Sequence, residues 1–264
     1  MSTEVFPRNS RTILAVATDA GGTGKSTTAV TLAALLAEQG KQVLLIDTDA
    51  QGTATEWLGI TKDTCDLTIS EVLKRKCTLD EATVDTNTPN LRLVPANVRM
   101  HECAAELPGV RGGEARLRRA LRDGGDADVV IIDCPGSLSI VTTAALVAAD
   151  NVLTVSLPTR KELSAIPSLE SAVMDVVEDY QPGLTFAGIV PCQVPPDNQG
   201  QIYRDALQLM RQVYADLVAP PVRRAAKVAE AQGQSTPLPA HAPRAKATED
   251  YRTVLQWLQD RGVL

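Results

Sequence analysis

The chain has 264 residues, of which 44% are hydrophobic and 22% charged, and its formal net charge is −6 at pH 7. This composition is ordinary for a globular protein, and the length favours one large α/β domain over two small ones. The acidic balance excludes a bulk attraction to nucleic acid, and no apolar run approaches the ~20 residues that a membrane span requires.

Two further properties of the chain bear on its surroundings. The segment 1–10 is polar and lacks the apolar core of a signal peptide, so we expect a flexible N-terminal tail before a single domain over 11–264. The five cysteines are odd in number and form no C-x-x-C pair, which favours free thiols in a reducing compartment. A cytoplasmic protein with no membrane partner is therefore expected.

Strands and helices are predicted to alternate along the domain. Continuous apolar runs indicate strands buried on both faces of a parallel sheet, and helical patterns lie between them. The predicted strands are Thr12–Thr18, Gln42–Asp47, Leu91–Val94, Asp128–Asp133, Asn151–Leu157 and Leu184–Val190, with Leu217–Val222 as a weaker candidate. The predicted helices are Lys25–Gln39, Gly113–Arg122, Lys161–Tyr180, Asn198–Ala215 and Lys246–Arg261.

This order of elements predicts an α/β fold with a doubly wound, mainly parallel sheet flanked by helices. Gly40 and Gly124 stand where helix C-termini prefer glycine. The segment Gly233–Arg244, with three prolines, predicts a loop before a final helix that docks on the domain. Because ligands bind at the C-terminal ends of the strands in such sheets, polar residues that follow strands are the site candidates.

The segment Thr18–Thr27 joins the first predicted strand to the first predicted helix. Its glycines let successive backbone N–H groups point at one spot, at the positive end of the helix dipole, as in a phosphate-binding loop. Lys25 would reach the β- and γ-phosphates of a nucleotide, and the Ser26 hydroxyl would hold Mg²⁺. The strict pattern G-x-x-x-x-G-K-[ST] requires glycine where this chain has Asp19, so the loop is a variant.

Three aspartates lie at the ends of predicted strands, on the same edge of the sheet. Asp47 ends the second strand and Asp49 follows it, while Asp133 ends an apolar run, as a Walker B motif requires. Such a run buries the strand and delivers one carboxylate to the Mg²⁺ side. The alternative for Asp47 and Asp49 is a strand end with solvated acids.

The loop Gly21–Ser26, together with Leu44–Gly52, closely resembles the ParA/MinD group of deviant Walker-box ATPases. In that group the first turn reads K-G-G-x-G-K-[ST], and the second strand ends in D-x-D-x-Q-G. The second ending is more like the DNA-segregating ParA branch than the membrane-bound MinD branch. The resemblance implies a P-loop NTPase of the deviant Walker A type, which uses ATP and Mg²⁺ to form a nucleotide-dependent homodimer on nonspecific double-stranded DNA. Hydrolysis stimulated by a ParB-like or other adaptor protein would release it.

The resemblance also implies roles for individual residues. Lys25 neutralises phosphate charge, and Asp49 orients or activates the attacking water. Metal ligation is implied for Ser26, Asp47 and Asp133. Nucleotide contacts are implied for Gly21, Gly22, Thr23, Gly24, Lys25, Ser26 and Thr27. Pro191 and Pro221 would line the adenine base, although prolines also simply punctuate loops.

One hallmark of the group is missing, because the lysine expected before the paired glycines is Ala20. In the group that lysine contacts the phosphates of the partner subunit's ATP. The protein could therefore bind nucleotide with weak hydrolysis, dimerise through other contacts, or use another cation. Lys161 is our first choice for that cation and Arg160 the second, since both follow a strand on the nucleotide edge. The alternative is a solvated first helical turn.

Basic residues are in local excess near the C-terminus, with eight basic and five acidic residues between Tyr203 and Arg252. This excess is sufficient for salt-sensitive, sequence-independent contacts with DNA phosphates. The predicted DNA contacts are Arg204, Arg211, Arg223, Arg224, Lys227, Arg244 and Lys246. The arginine-rich helix over 111–122 is a second candidate, and a solvated helix face is the alternative for both clusters.

The sequence thus predicts a nucleoid-associated, ParA-like ATPase that positions a plasmid, a chromosome or a protein cargo. The competing hypothesis is a nucleotide-dependent adaptor or scaffold with little or no hydrolysis, because Ala20 has replaced the signature lysine. Phosphate release that is slow but stimulated by a partner protein would distinguish the two.

Overall fold

The computed structural model describes residues 11–196 and 200–264, and a single sheet runs through these two ranges. Its strands are β1 (Thr12–Ala17), β2 (Val43–Asp47), β3 (Val84–Asp85), β4 (Leu91–Val94), β5 (Val129–Asp133), β6 (Asn151–Ser156) and β7 (Thr185–Pro191). The strand order is β3-β4-β2-β5-β1-β6-β7, and every ladder is parallel except that between β3 and β4. The predicted doubly wound, mainly parallel sheet is confirmed.

Twelve α-helices surround this sheet in the described part of the chain. They are α1 (Lys25–Glu38), α2 (Thr53–Trp57), α3 (Ile69–Leu73), α4 (Arg99–Glu106), α5 (Arg116–Asp123), α6 (Ile140–Ala148), α7 (Arg160–Leu163), α8 (Ile166–Asp179), α9 (Gln201–Tyr214), α10 (Ala226–Gly233), α11 (Leu238–His241) and α12 (Lys246–Asp260). Within the same ranges, no helix has both the length and the apolar character to cross a membrane.

Two hydrophobic layers cover the two faces of the sheet. Alternate side chains of a strand point to opposite faces, so Leu14 and Val16 of β1 join the layer formed with α1 and α12. Ala15 and Ala17 join the opposite layer, with α5, α6 and α8. The apolar side of α12 is buried in the first layer, which confirms that the final helix docks on the domain.

The register of the central strands brings their carboxyl ends together. Val16 of β1 and Asp47 of β2 both pair with Asp133 of β5 across parallel ladders. Residues that follow these strands in sequence therefore meet at one edge of the sheet, and this edge carries the candidate site.

The helix predicted over Lys161–Tyr180 is wrong as a single element, because the chain forms α7 and α8 instead. Pro167 occupies the first turn of α8, where a missing N–H costs nothing. In a continuous helix, residue 167 would donate its N–H to the carbonyl oxygen of Leu163, the last residue of α7. Proline has no N–H to donate, and its ring would clash with that carbonyl group.

Other differences are local. Leu217–Val222 is not a strand: it meets β7 through one bridge, between Ile189 and Val218, and two flanking hydrogen bonds, because its prolines cannot donate. The predicted loop over 233–244 contains the short helix α11. Gly40 has a left-handed φ of +84°, but Gly124 is extended and the left-handed residue is Gly125, at +76°. The predicted tail 1–10 and the predicted helix start at Asn198 lie outside the described residues.

Gly188 in β7 is a position where the fold requires glycine. Its φ is +148°, and a β-carbon there would lie 2.5 Å from the carbonyl oxygen of Leu217 and 2.6 Å from Cη2 of Trp257. Gly188→Ala is therefore expected to lower the free energy of unfolding by about 2–4 kcal/mol, since overpacking and backbone strain add. Urea denaturation measures the loss. In Gly233→Ala a β-carbon meets nothing within 4 Å, so this control should stay close to wild type; equal stabilities would contradict the prediction.

Candidate functional site

The loop between β1 and α1 has the backbone geometry of a phosphate-binding nest. Gly22 and Gly24 have φ values of +74° and +103°, left-handed conformations that glycine adopts without steric cost. Lys25 begins α1 and is only 7% exposed. Successive N–H groups in such a turn converge, and the helix N-terminus adds positive partial charge at the same place. The loop can therefore bind the phosphates of a nucleotide.

The loops that follow β5 and β7 both pack against this nest. After β7, Nε2 of Gln193 donates to the carbonyl oxygen of Gly22 at 2.9 Å. After β5, Gly136 lies against the nest: a β-carbon on it would be in van der Waals contact with Cα of Gly21 at 3.5 Å and with Nζ of Lys25 at 3.6 Å. The tertiary structure thus holds the nest between two strand ends.

Asp133 is the buried acid of the site. It has 0% exposure, and neither carboxylate oxygen has a hydrogen-bond partner among the described residues. Burial raises the pKa of Asp133 and the neighbouring Asp47 carboxylate raises it further, while Ser26 and Lys25 oppose this shift. An unpartnered buried carboxylate is costly unless a cation compensates it, and carboxylate oxygens suit Mg²⁺. Asp133, Ser26 and Lys25 therefore fit an Mg²⁺–nucleotide complex.

Asp47 has a different environment, because its oxygens are used within the protein. Oδ2 accepts hydrogen bonds from N and Oγ1 of Thr55, at 2.9 and 2.8 Å, and Oδ1 accepts from N of Asp49 at 3.0 Å. These bonds lower the pKa of Asp47, but burial outweighs them and raises it. The structure therefore places Asp47 beside Asp133 and uses it to anchor the 48–55 loop. A role for Thr55 was not predicted from the sequence, because nothing in the sequence distinguishes a threonine eight residues after Asp47.

Asp49 sits in that anchored loop and is partly exposed. Its Oδ1 accepts from N of Gln51 at 2.9 Å, and no donor in the described residues contacts its other oxygen. Gly52 closes the turn with a φ of +63°, and a β-carbon there would lie 2.9 Å from the carbonyl oxygen of Ala96. The loop therefore presents Asp49 at the nucleotide edge with one carboxylate oxygen available to a water.

The two candidate replacements for the missing lysine lie in α7, directly after β6. Arg160 and Lys161 are both exposed, and neither has an ion-pair partner in the part of the chain that the structure describes. Thr159 caps the helix by accepting from N of Glu162. Both cations therefore stand at the same sheet edge as the nest, on the surface of the subunit.

The two prolines predicted to line a base are brought together. N of Val222, next to Pro221, donates to the carbonyl oxygen of Pro191 at 2.8 Å. The buried Cys192 next to Pro191 packs on the nest, with its Cβ 3.5 Å from where a β-carbon on Gly24 would lie. Residue Cys192, which was not predicted, thus connects this proline pair to the phosphate loop.

The predicted DNA contacts divide into paired and unpaired cations. Arg223 makes a forked ion pair with Asp250, Nε–Oδ2 at 2.6 Å and Nη2–Oδ1 at 2.8 Å, and Lys227 pairs with Glu230 at 2.6 Å. Arg204 contacts Oε1 of Gln201. Within the described ranges no ion pair involves the four exposed cations Arg211, Arg224, Arg244 and Lys246.

Comparisons with known proteins show what the chain as a whole is similar to. Residues 11–186 match a family profile described as an AAA domain. The chain is 31% identical over 244 residues to the sporulation initiation inhibitor protein Soj of Bacillus subtilis, covering 90% of this chain and 94% of that protein. It is 32% identical over 254 residues to the chromosome partitioning protein ParA of Myxococcus xanthus, covering 94% and 88%. Among solved structures, cobyrinic acid a,c-diamide synthase from Mycobacterium smegmatis with bound ADP and magnesium superposes with a TM-score of 0.82 at 31% identity, covering 96% of this chain and 95% of that one.

Proposed function

Because this chain belongs to the ParA family of partition ATPases, we propose that it is an ATP-driven positioning switch. It binds ATP and Mg²⁺, forms a homodimer, and in that state binds double-stranded DNA without sequence preference. A ParB-like or other adaptor protein on a plasmid, a chromosome or a protein assembly stimulates hydrolysis and so releases the dimer. The switch operates in the cytoplasm, on the nucleoid.

The observation that carries this proposal is the buried carboxylate of Asp133, unpartnered within the described residues and beside Lys25 and Ser26. Bound Mg²⁺ would supply charge stabilisation at the phosphates, held by Ser26 and Asp133. Lys25 neutralises phosphate charge, and the backbone N–H groups of residues 21–27 orient the phosphates. Asp49 positions the attacking water, and Asp47 keeps Asp49 in place. In phosphoryl transfer such positioning and charge stabilisation supply most of the catalysis.

The proposed DNA binding depends on exposed basic side chains. With Arg223 and Lys227 paired to acids, the phosphate contacts fall mainly to Arg211, Arg224, Arg244 and Lys246. These four side chains are exposed, and dimerisation would double their number. Phosphate contacts of this kind carry no sequence information, so binding should depend strongly on salt and weakly on sequence.

The experiment that tests this function measures binding to random-sequence duplex DNA without nucleotide, with ADP-Mg²⁺ and with ATP-Mg²⁺, at low and moderate salt. Binding only with ATP, weakening as salt rises, is the expected result. Equal binding in all three states, or none, would contradict the switch.

The second candidate function, an adaptor with little or no hydrolysis, is favoured by Ala20, which cannot supply a cationic contact to a partner's nucleotide. Phosphate release in the presence of DNA and the cargo protein separates it from the switch. A rate that the partner raises supports the ATPase, and a rate that stays at background supports the adaptor.

Lys161→Ala is expected to weaken ATP-dependent dimerisation by about tenfold or more, because an ammonium–phosphate contact across the interface would be lost. Arg160→Ala, its matched neighbour, should have a smaller effect. Sedimentation velocity with ATP-Mg²⁺ measures both. If both variants dimerise like wild type, neither side chain replaces the missing lysine.

A further inference from the structure

Gln193 is a side chain outside the sequence motifs that hydrogen-bonds to the phosphate-binding loop. It follows β7, is exposed, and donates from Nε2 to the carbonyl oxygen of Gly22 at 2.9 Å. Its φ is +52°, a left-handed value that residues other than glycine rarely adopt. Such a conformation persists only where the surrounding structure imposes it.

The backbone on both sides of Gln193 is fixed by hydrogen bonds. N of Cys192 donates to the carbonyl oxygen of Ser156 at 2.9 Å, which continues the β6–β7 ladder. N of Val194 donates to the carbonyl oxygen of Val222 at 3.0 Å, within the bridge that pairs residue 194 with residue 223. Gln193 is therefore a single strained residue between two anchored neighbours.

The segment on which Gln193 rests is itself tied to the domain. Arg223 is clamped to Asp250 of α12 by its backbone N and its guanidinium. The next residue of α12, Tyr251, is buried, and its hydroxyl lies 3.2 Å from Oγ1 of Thr28 in the first turn of α1. Gln193 thus belongs to a set of contacts that begins at Gly22 of the phosphate loop and ends in the first turn of α1, the helix that follows this loop.

We propose that Gln193 is a positioning residue that orients the Gly22–Thr23 peptide for nucleotide binding. A trans peptide is planar, with its C=O and N–H on opposite sides, so holding the Gly22 carbonyl toward Gln193 fixes the opposite direction of the Thr23 N–H. A phosphate nest works only when such N–H groups converge. The inference rests on the ATP binding proposed above.

The Thr23 side chain does not supply this hold itself. It is fully buried, and its Oγ1 has no hydrogen-bond partner among the described residues. Gly22, with a φ of +74° and no side chain, leaves the peptide free to rotate. The amide of Gln193 therefore supplies a restraint that the loop sequence lacks.

Gln193→Met is the decisive variant, because methionine keeps the length of the side chain and removes the donor. We expect Kd for ATP-Mg²⁺, measured by titration calorimetry, to rise about 3- to 10-fold, as the loss of one hydrogen bond predicts. The Tm of the nucleotide-free protein should stay within about 1 °C of wild type, which a merely structural role would not predict.

Gln193→Gly provides a test in which stability and binding move in opposite directions. Glycine relieves the left-handed strain, so the nucleotide-free protein should become slightly more stable while ATP binding weakens as in Gln193→Met. Ser235→Gly is the matched control: Ser235 is exposed with a φ of +47°, and its replacement should raise stability and leave Kd unchanged.

The outcomes of these titrations distinguish the positioning role of Gln193 from the proposed ATP binding. Wild-type affinity in Gln193→Met would overturn the positioning role and leave the proposed function intact. If Tm of the nucleotide-free protein also falls in both variants, by a free energy as large as the loss of binding, Gln193 has a role in folding. That result would also overturn the positioning role. No ATP binding by the wild-type protein would remove both proposals together.

Discussion

Lys25→Ala is expected to weaken ATP-Mg²⁺ binding by about 100-fold or more. The ammonium group is largely buried at the start of α1, where its hydrogen bonds to phosphate oxygens would be charge-assisted and shielded from water. Each hydrogen bond to a charged group contributes roughly 1.5–3 kcal/mol, and every 1.4 kcal/mol is about tenfold in affinity. Alanine removes all of them at once. Titration calorimetry with ATP-Mg²⁺ measures the loss directly.

Two further variants test whether the loss of ATP binding is specific to Lys25. Lys41→Ala removes an exposed lysine just before β2, at the opposite end of the sheet, and should bind ATP like wild type. Asp49→Ala should retain ATP binding and lose at least about 100-fold in hydrolysis, because a water-positioning group affects the rate far more than the affinity. If Lys25→Ala binds ATP normally, the nest does not hold the nucleotide.

Asp133→Asn should make the nucleotide-free protein more stable and should abolish the proposed ATP hydrolysis. The wild-type carboxylate is fully buried and unpartnered among the described residues, and its charge lies beside that of Asp47. Replacing this carboxyl by a neutral amide removes the cost of burying an ionisable group beside Asp47. Near neutral pH we expect the free energy of unfolding to rise by about 1–3 kcal/mol, or Tm by at least ~2 °C. The same change removes the charge that would hold Mg²⁺, so Mg²⁺-dependent hydrolysis should fall by about 100-fold or more.

The sign of the pH dependence follows from the raised pKa of Asp133. In the unfolded chain this carboxyl ionises near its ordinary pKa of about 4, whereas in the folded protein it keeps its proton to a higher pH. Between these two values the unfolded state binds fewer protons, so wild-type stability decreases as pH rises. The advantage of Asp133→Asn should therefore be absent below about pH 4 and increase above it. The exposed Asp175→Asn serves as the control; an advantage that is constant with pH would contradict this explanation.

The strands β1, β2 and β4–β7 were predictable because burial on both faces requires continuous apolar runs. The two-residue edge strand β3 is not fully buried and was not predicted. The prediction Leu91–Val94 agrees with β4 at both ends, and Thr12–Thr18 differs from β1 by one residue. Helix boundaries were less predictable where a proline decides them. Pro167 ends any continuous helix over 161–180, although the apolar spacing on its two sides is compatible with one.

Much of the candidate site could also be predicted from the sequence. A phosphate loop is contiguous in sequence, since its function depends on backbone conformations that neighbouring glycines permit, so Gly22, Gly24 and Lys25 could be named from the sequence. The carboxyl ends of parallel strands must share an edge, so Asp47 and Asp133 could be placed together without coordinates.

The fold class, the phosphate loop and the acids at the strand ends could thus be predicted from the sequence, because each depends on local pattern and on the rules of parallel sheets. Which groups each polar side chain contacts depends instead on how the layers pack. Gln193 lies 171 residues from Gly22 yet donates to it, and Arg223, a free cation in a count of charges, is paired with Asp250 27 residues away. Such contacts depend on distances of a few ångströms between distant segments, and these distances exist only after the layers have packed.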